Sequence, residues 1–540
     1  MKLSGLFKVS LVATAITLAG CGGGDINVTP TTVDNSVDNS VDNSVTNPGG
    51  DDGGGEALSC ATYTLDGATF TGEAKGTNCV YSQAFASNAK EITSSFVIPA
   101  LGNGGAHVFE GALFIGDDVD TSTGATIDGN GPTLSIEAGA TIAFTKPESF
   151  IRIARGANIE AIGEVDKPII FTSIKEVDGD DSTTAQIGDW GGVQVNGRGQ
   201  SIRCTAAAAA QDMCNHSAEG IVSYYGGNDP QDSSGILKHI VIKYAGFGVE
   251  GDELNGLTLN AVGSGTTIDY VHVHNGFDDG IELFGGSVNL KHIVITDTGD
   301  DGIDWDEGWK GYGQFILVRS NEYGNHGFET DGAKVDPLSA DAQDLVTSVS
   351  NPTIANATVV TTGDQGAEGR RTGAGMEMKE WGKAQLANML FVNSSSVDGA
   401  GCFDLYNEKD KSGDAGVHAN ANNGDIAFMS SIFACGKNFE DVNTPLTGAL
   451  ASFDINTWFT GGDNNQLIGF ADFANVLGAD GVSTAETITD SQGTAVVTTA
   501  KDMSEVNSFF TNAGYIGALK DGESSEWADF VAASLQRASN

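Results

Sequence analysis

The chain has 540 residues, 72 of them Asp or Glu against 27 Lys or Arg, for a formal net charge of −45. That balance excludes nucleic acid as a partner, since a phosphate backbone is repelled, and it admits an acidic polysaccharide only through bridging cations. The 74 glycines are about twice the usual share, so the chain is built to turn often.

The first twenty residues read as an export signal. Lys2 and Lys8 precede a short apolar run from Leu11 to Leu18, and Leu18-Ala19-Gly20-Cys21 forms a lipoprotein cleavage box. The run falls short of the ~20 residues a bilayer-spanning helix needs. Cleavage there makes Cys21 the acylated first residue, so the expected partner is a membrane held through the lipid. Gly22 rather than Asp follows, which points to the outer membrane and to display at the cell surface. Residues 21–57 then form a tether: Val-Asp-Asn-Ser repeats at Val33, Val37 and Val41 before a Gly- and Asp-rich stretch. Such a segment is too polar to bury a core and is expected to stay disordered.

Six further cysteines remain: Cys60, Cys79, Cys204, Cys214, Cys402 and Cys435. An even number in an exported chain predicts disulfides. Local pairing, 60–79, 204–214 and 402–435, is the simplest of the fifteen arrangements six cysteines permit.

From about residue 108 to 439 the chain reads as short strands punctuated by glycine. Leu-Lys-His-Ile-Val-Ile occurs at 237–242 and again at 290–295, placing His239 and His292 at equal positions. Gly276 to Glu282, Gly299 to Asp304 and Gly324 to Glu329 share one template, (Asp/Asn)-(Asp/His)-Gly-(Ile/Phe)-(Glu/Asp) in its core. The acids recur 22 residues apart from Glu282 to Asp304 and 25 from Asp304 to Glu329, the length of one turn of a coiled parallel sheet. The predicted fold is therefore all-β, a right-handed parallel β-helix. Residues 58–107 are expected to cap one end and 440–540 the other, with a short helix over Glu526 to Arg537. Excursions at 200–233, 333–351 and 407–425 read as loops inserted between turns.

Gly188-Asp189-Trp190-Gly191-Gly192, Tyr225 to Pro230, Glu253 to Leu259 and the Asp-Asp-Gly repeats resemble those of exported bacterial right-handed parallel β-helix lipoproteins of unassigned activity. The resemblance covers roughly residues 110–405, and Tyr515-Ile516-Gly517-Ala518 matches the family's tail. It implies the fold and the cell envelope and says little about chemistry.

Stacked turns lie roughly 4.8 Å apart, so the outward acids form a ladder. Its predicted members are Asp278, Asp279, Glu282, Asp300, Asp301, Asp304, Asp306, Glu329 and Asp331, with Glu250 and Glu377 extending it. Crowded carboxylates call for a cation, and an oxygen-only donor set suits Ca²⁺. The reading that follows is a surface module binding Ca²⁺ and a carbohydrate or other surface ligand. Solvated acids and glycines serving tight corners give the same pattern.

The order Asp279, Asp300-Asp301, His326-Gly327, then Arg370, Arg371 and Lys379 also resembles polygalacturonases, distantly. That likeness implies a polysaccharide-degrading alternative, a hydrolase or Ca²⁺-dependent lyase, with Asp279, Asp300, Asp301, His326, Arg371 and Lys379 at the reacting bond. Its basic residues come later than in that family, and neither the Asn-Thr-Asp nor the Arg-x-Lys form is present. Trp305, Trp309, Tyr312 and Trp381 are candidates for stacking on sugar rings; packing against loops is the competing reading. His272 and His274 alternate on one strand and read as an exposed pair sharing a face.

Overall fold

Most strands of this chain pair in parallel with strands one coil away. The computed structural model describes residues 58–539, apart from 181, 212, 221–222, 250–251, 321–323, 334–342, 362–372, 394–400, 407–415, 443–445, 470–475, 491 and 497. Cys21, the signal, the tether, Glu250, Arg370 and Arg371 lie outside those residues.

Among the described residues, one sheet is an uninterrupted parallel stack of eleven strands running from Glu91–Ile92 to Phe439–Val442. A second, almost wholly parallel sheet of eighteen strands forms the remaining walls. Inward Ile, Val, Leu and Phe from both sheets make one continuous apolar core. The predicted parallel β-helix is the fold. Each rung buries its apolar residues against the rungs on either side, so stability accumulates through neighbour contacts.

The long strands Gly235–Lys243, Thr267–His274, Asn289–Thr296, Tyr312–Arg319 and Thr353–Thr361 turn a corner midway. Their corner residues His239, Tyr270, His292, Phe315 and Asn356 have φ of 50°, 54°, 54°, 60° and 54°. The first four stack in order, with ring centroids 4.4, 4.2 and 5.1 Å apart. Repeat position thus explains the paired histidines of the duplicated strand.

The coil extends past its predicted limits at both ends. Asn78–Tyr81 already pairs with His107–Phe109, and Gln466–Leu467 pairs with Ile432–Phe433. Strands of two to four residues are too short to show periodicity, and only their neighbours reveal them. At the start the hairpin Thr62–Leu65 and Ala68–Thr71 is tied to the first rung by the Cys60–Cys79 disulfide. At the far end the helix Ile455–Thr460 lays Phe459 on Phe433, centroids 4.1 Å apart. Cys204–Cys214 and Cys402–Cys435 are also bonded, so all three local pairings form.

Residues 501–538 run along the flank of the coil. Asn388 donates to the Lys501 carbonyl, Gln314 to that of Thr511, and Asn356 to that of Tyr515. The helix Glu526–Ala538 then sets Trp527 and Phe530 against the stacked corner rings. The helix thereby covers most of the aromatic corner, burying Tyr270 and Phe315.

Candidate functional site

Five consecutive rungs of the eleven-stranded sheet enter through a glycine: Gly256, Gly280, Gly302, Gly327 and Gly375. The reason is space. A Cβ on Gly302 would lie 2.5 Å from Val318 Cγ1 and 2.6 Å from the Gly327 carbonyl oxygen, and its column neighbours are as tight. The next residue (Leu257, Ile281, Ile303, Phe328, Met376) points inward, so the one after it points out.

That outward column holds the acids. Thr258 pairs with Glu282, Glu282 with Asp304, Asp304 with Glu329, Glu329 with Glu377, and Glu377 with Asp404. The vertical register predicted from the repeat is the register of the sheet. Acids thus occupy six consecutive rungs, since Asp404 pairs in turn with Glu440, and these last two are additions the repeat spacing did not reveal. They are not freely solvated: Glu282 is 8% exposed and Glu377 1%.

Three residues before each ladder acid lies a second column with a different job. Asn255 Oδ1 accepts from the Asp279 N–H (3.1 Å), and Asp279 Oδ1 from the Asp301 N–H (2.9 Å). Asp301 Oδ1 accepts from the His326 N–H, and His326 Nδ1 from the Ala374 N–H at 2.9 Å. Each side chain satisfies a backbone donor of the next rung at a corner where the sheet ladder is interrupted. The Asp279, Asp301, His326 order therefore has a structural origin. With Nδ1 an acceptor, the ring carries its proton on Nε2, which lies 3.9 Å from Glu377 Oε2.

Two groups bring carboxylate atoms within 4.8 Å of one another: Asp278, Asp279 and Asp300, and Asp279, Glu282 and Asp304. Asp279 belongs to both. Burial, reinforced by the neighbouring carboxylates, pushes Asp279, Glu282 and Asp304 well above the usual acid range. Asp301 is raised likewise, by burial and then by Asp300 and Glu329. Asp304 Oδ1 is buried and receives no hydrogen bond from the described residues. Asn255 donates its amide to Glu282. Glu219, from the 200–233 excursion, is the charge that most raises Glu282 after burial; no repeat marks it, so only the folded loop reveals it.

The other predicted ligands are engaged elsewhere. Lys379 forms ion pairs with Glu329 and, at 3.4 Å, with Asp331. Burial raises Glu329, but the Lys379 ammonium, the Asp301 hydrogen bond and His326 together outweigh it and hold the group at about 2. Burial opposes the Lys379 charge in turn, and Glu329, Asp331 and Asp304 carry it far above the ordinary ammonium value. Asp306 Oδ1 accepts from the Glu307 N–H. The ladder is thus neutralised from within at Glu329; among the described residues Asp279, Glu282 and Asp304 form no ion pair, and Lys379 lowers Asp304 without offsetting its burial.

The sugar-stacking platform is overturned. Trp305 and Trp309 are 0% exposed, Trp381 is buried, and Tyr312 packs on Phe509 and Phe510. Trp305 follows Ile303 by two residues, and period-two alternation sends both into the coil. Trp190 is likewise buried, stacked on Phe144 at 4.9 Å. His272 and His274 do share a face, but it is covered by the C-terminal helix, and both are buried.

A family model described as a pectate-lyase-like β-helix domain matches residues 114–469, well over half the chain. The chain belongs to that family. Searches of curated proteins and of solved structures returned no match. The matched span contains every rung of the acidic ladder described above.

Proposed function

We propose that this β-helix binds a divalent cation, Ca²⁺ by donor chemistry, in the Asp279–Glu282–Asp304 group, and through it a carbohydrate or other surface ligand. The observation that carries the reading is a set of three carboxylates within 4.8 Å, largely withdrawn from solvent and, among the described residues, without an ion-pair partner. Two unit charges 4.8 Å apart repel by about 3.5 kcal/mol at an effective dielectric of 20, and a bound cation relieves this. All-oxygen ligation is what Ca²⁺ takes. The family match fits a carbohydrate-related role. Calorimetric titration of the EDTA-stripped protein with CaCl₂ tests the cation: saturable heat that Asp279→Asn removes supports it, and a flat titration ends it.

The same reading places the module at the outer membrane through acylated Cys21, with the tether holding it clear of the lipid. Fractionating cells that express Cys21→Ser is the check. Release of the variant from the membrane supports anchoring; unchanged membrane association refutes it.

One observation favours a second, catalytic reading. Burial and its neighbours raise Asp301, while Lys379, the Asp301 hydrogen bond and His326 together lower Glu329 beside it to about 2. Two carboxyls pushed apart in this way are what acid–base cleavage of a glycosidic bond requires. Incubation with polygalacturonate, alginate and neutral glycans decides it. New reducing or unsaturated ends that Asp301→Asn abolishes would establish an enzyme; none across the panel leaves the binding module.

A further inference from the structure

Asn255 heads the corner column and differs in kind from the residues that follow it. Asp279 and Asp301, in the same place on the next two rungs, are carboxylates; Asn255 is an amide and brings donors as well as an acceptor. The side chain is 1% exposed, and each of its polar atoms is engaged. Oδ1 accepts from the Asp279 N–H at 3.1 Å, while Nδ2 donates to Glu282 Oε2 and, at 3.3 Å, to Thr258 Oγ1. No other orientation of the amide works. A backbone N–H can only donate, so a flipped amide would set its NH₂ against the Asp279 N–H and its oxygen against the Glu282 carboxylate.

Both residues that this amide grips belong to the cation group. Asp279 is held through its backbone and Glu282 through its carboxylate, and with Asp304 they offer carboxylate oxygens within 4.8 Å of one another. The grip is rigid, because the chain on either side of Asn255 is fixed. Leu254 exchanges backbone hydrogen bonds with Phe247, at 2.8 and 3.2 Å, and buries its side chain with Ala112, Phe114 and Phe150. The Gly256 N–H donates to the Asp279 carbonyl at 2.9 Å.

One rung on, the arrangement changes. Asp279 occupies, relative to Asp304, the column position that Asn255 occupies relative to Glu282, but it has no amide to offer. Asp304 Oδ1 is buried with no hydrogen-bond partner among the described residues. Glu282 thus has a secured oxygen, and Asp304 an unanswered one. A flexible glutamate surrenders side-chain freedom when it grips an ion. Tying one oxygen to a buried amide moves that loss from binding into folding.

We infer that Asn255 is a positioning residue of this cation site: its amide secures Glu282 Oε2 and leaves Oε1 to the ion, while its carbonyl oxygen sets the corner that presents Asp279. Glu282 then coordinates through a single oxygen. The inference rests on the cation reading above and deepens it, giving the site a part that is uncharged and touches no ion.

Terbium(III) takes the same oxygen ligands as calcium, and its luminescence decay in H₂O against D₂O counts the water molecules on the ion. Full-length wild type, Asn255→Ala, Glu282→Ala and the double variant are titrated with Ca²⁺ and with Tb³⁺. Asn255→Ala is expected to bind about tenfold more weakly than wild type and to carry about one more water on the ion. In the Glu282→Ala background the same change should add no further water, since its target is gone. An Asn255→Ala protein that melts lower in EDTA yet keeps the wild-type affinity and water count has lost a corner cap only, and overturns the inference. If that variant fails to fold, wild-type crystals grown with Tb³⁺ decide. Glu282 Oε1 on the ion with Oε2 on the Asn255 amide supports the inference, and a bidentate Glu282 overturns it. A wild type that binds neither ion is a different result, which ends the cation reading itself.

Discussion

Asp304→Asn separates the two consequences of a crowded ladder. Asp279, Glu282 and Asp304 form three like-charged pairs within 4.8 Å, each costing about 1 kcal/mol at the dielectric of water and about 3.5 kcal/mol at an effective 20. The substitution removes two of the three pairs while keeping side-chain volume. Proton uptake already relieves part of the wild-type strain, so the net gain in the metal-free protein is about 1–3 kcal/mol. At ~2.1 cal/mol/K per residue, a folded unit of this size shifts by roughly 1 °C for each kcal/mol. The variant is therefore expected to melt roughly 1–3 °C above wild type in EDTA. Calcium at a thousand times its Kd stabilises wild type by about 4.1 kcal/mol, and the variant, lacking a ligand, gains little. The signature in scanning calorimetry is a reversal: variant above wild type in EDTA, below it in calcium. A variant less stable in EDTA that keeps the full calcium shift would refute the reasoning.

The pH dependence follows from opposed shifts. Asp279, Glu282, Asp301 and Asp304 are raised on folding, so their contribution is full below the ordinary carboxylate range and is lost as pH rises through their folded values. Glu329, lowered from 4.5 to about 2, contributes above its ordinary value and loses that as pH falls toward 2. In EDTA the Tm should peak in mild acid and decline toward neutrality, and calcium should flatten the decline; a calcium-independent profile counts against the site. Lys379→Met strips Glu329 and Asp331 of their ammonium, should cost about 3–5 kcal/mol in denaturant titrations, and should enlarge the calcium response. Gly302→Ala forces a methyl against Val318 and the Gly327 carbonyl and is expected to cost about 1–3 kcal/mol; a neutral outcome would show the rung able to shift. Replacing both Cys402 and Cys435 by Ala opens a loop with a sequence separation of 33, a loss of roughly 4 kcal/mol by loop entropy, readable as a lower urea midpoint.

The template Gly-Ile-Glu, Gly-Ile-Asp and Gly-Phe-Glu was enough to stack Glu282, Asp304 and Glu329, because in a parallel coil the residues one turn apart are the residues that pair. Local cysteine spacing likewise anticipated all three disulfides, since chain ends ten to thirty-three residues apart meet within adjacent turns. The same alternation, carried two residues past Ile303, would have buried Trp305 and dissolved the stacking platform. Asp279 and Asp301 looked like chemistry in the linear order. Their role toward the Asp301 and His326 N–H groups is visible only when one rung is laid on the next.

What the sequence by itself determined was the repeat: rung length, inward and outward faces, and a column of acids in register. Only the tertiary structure decided which acids are withdrawn from water and which are answered by Lys379. Nor did the sequence announce that Glu219 swings in beside Glu282, or that the C-terminal helix lies over His272. The physical reason is that a repeat encodes contacts between neighbouring turns. Loops of irregular length and a segment folding back across more than two hundred residues of chain encode contacts with no period to read.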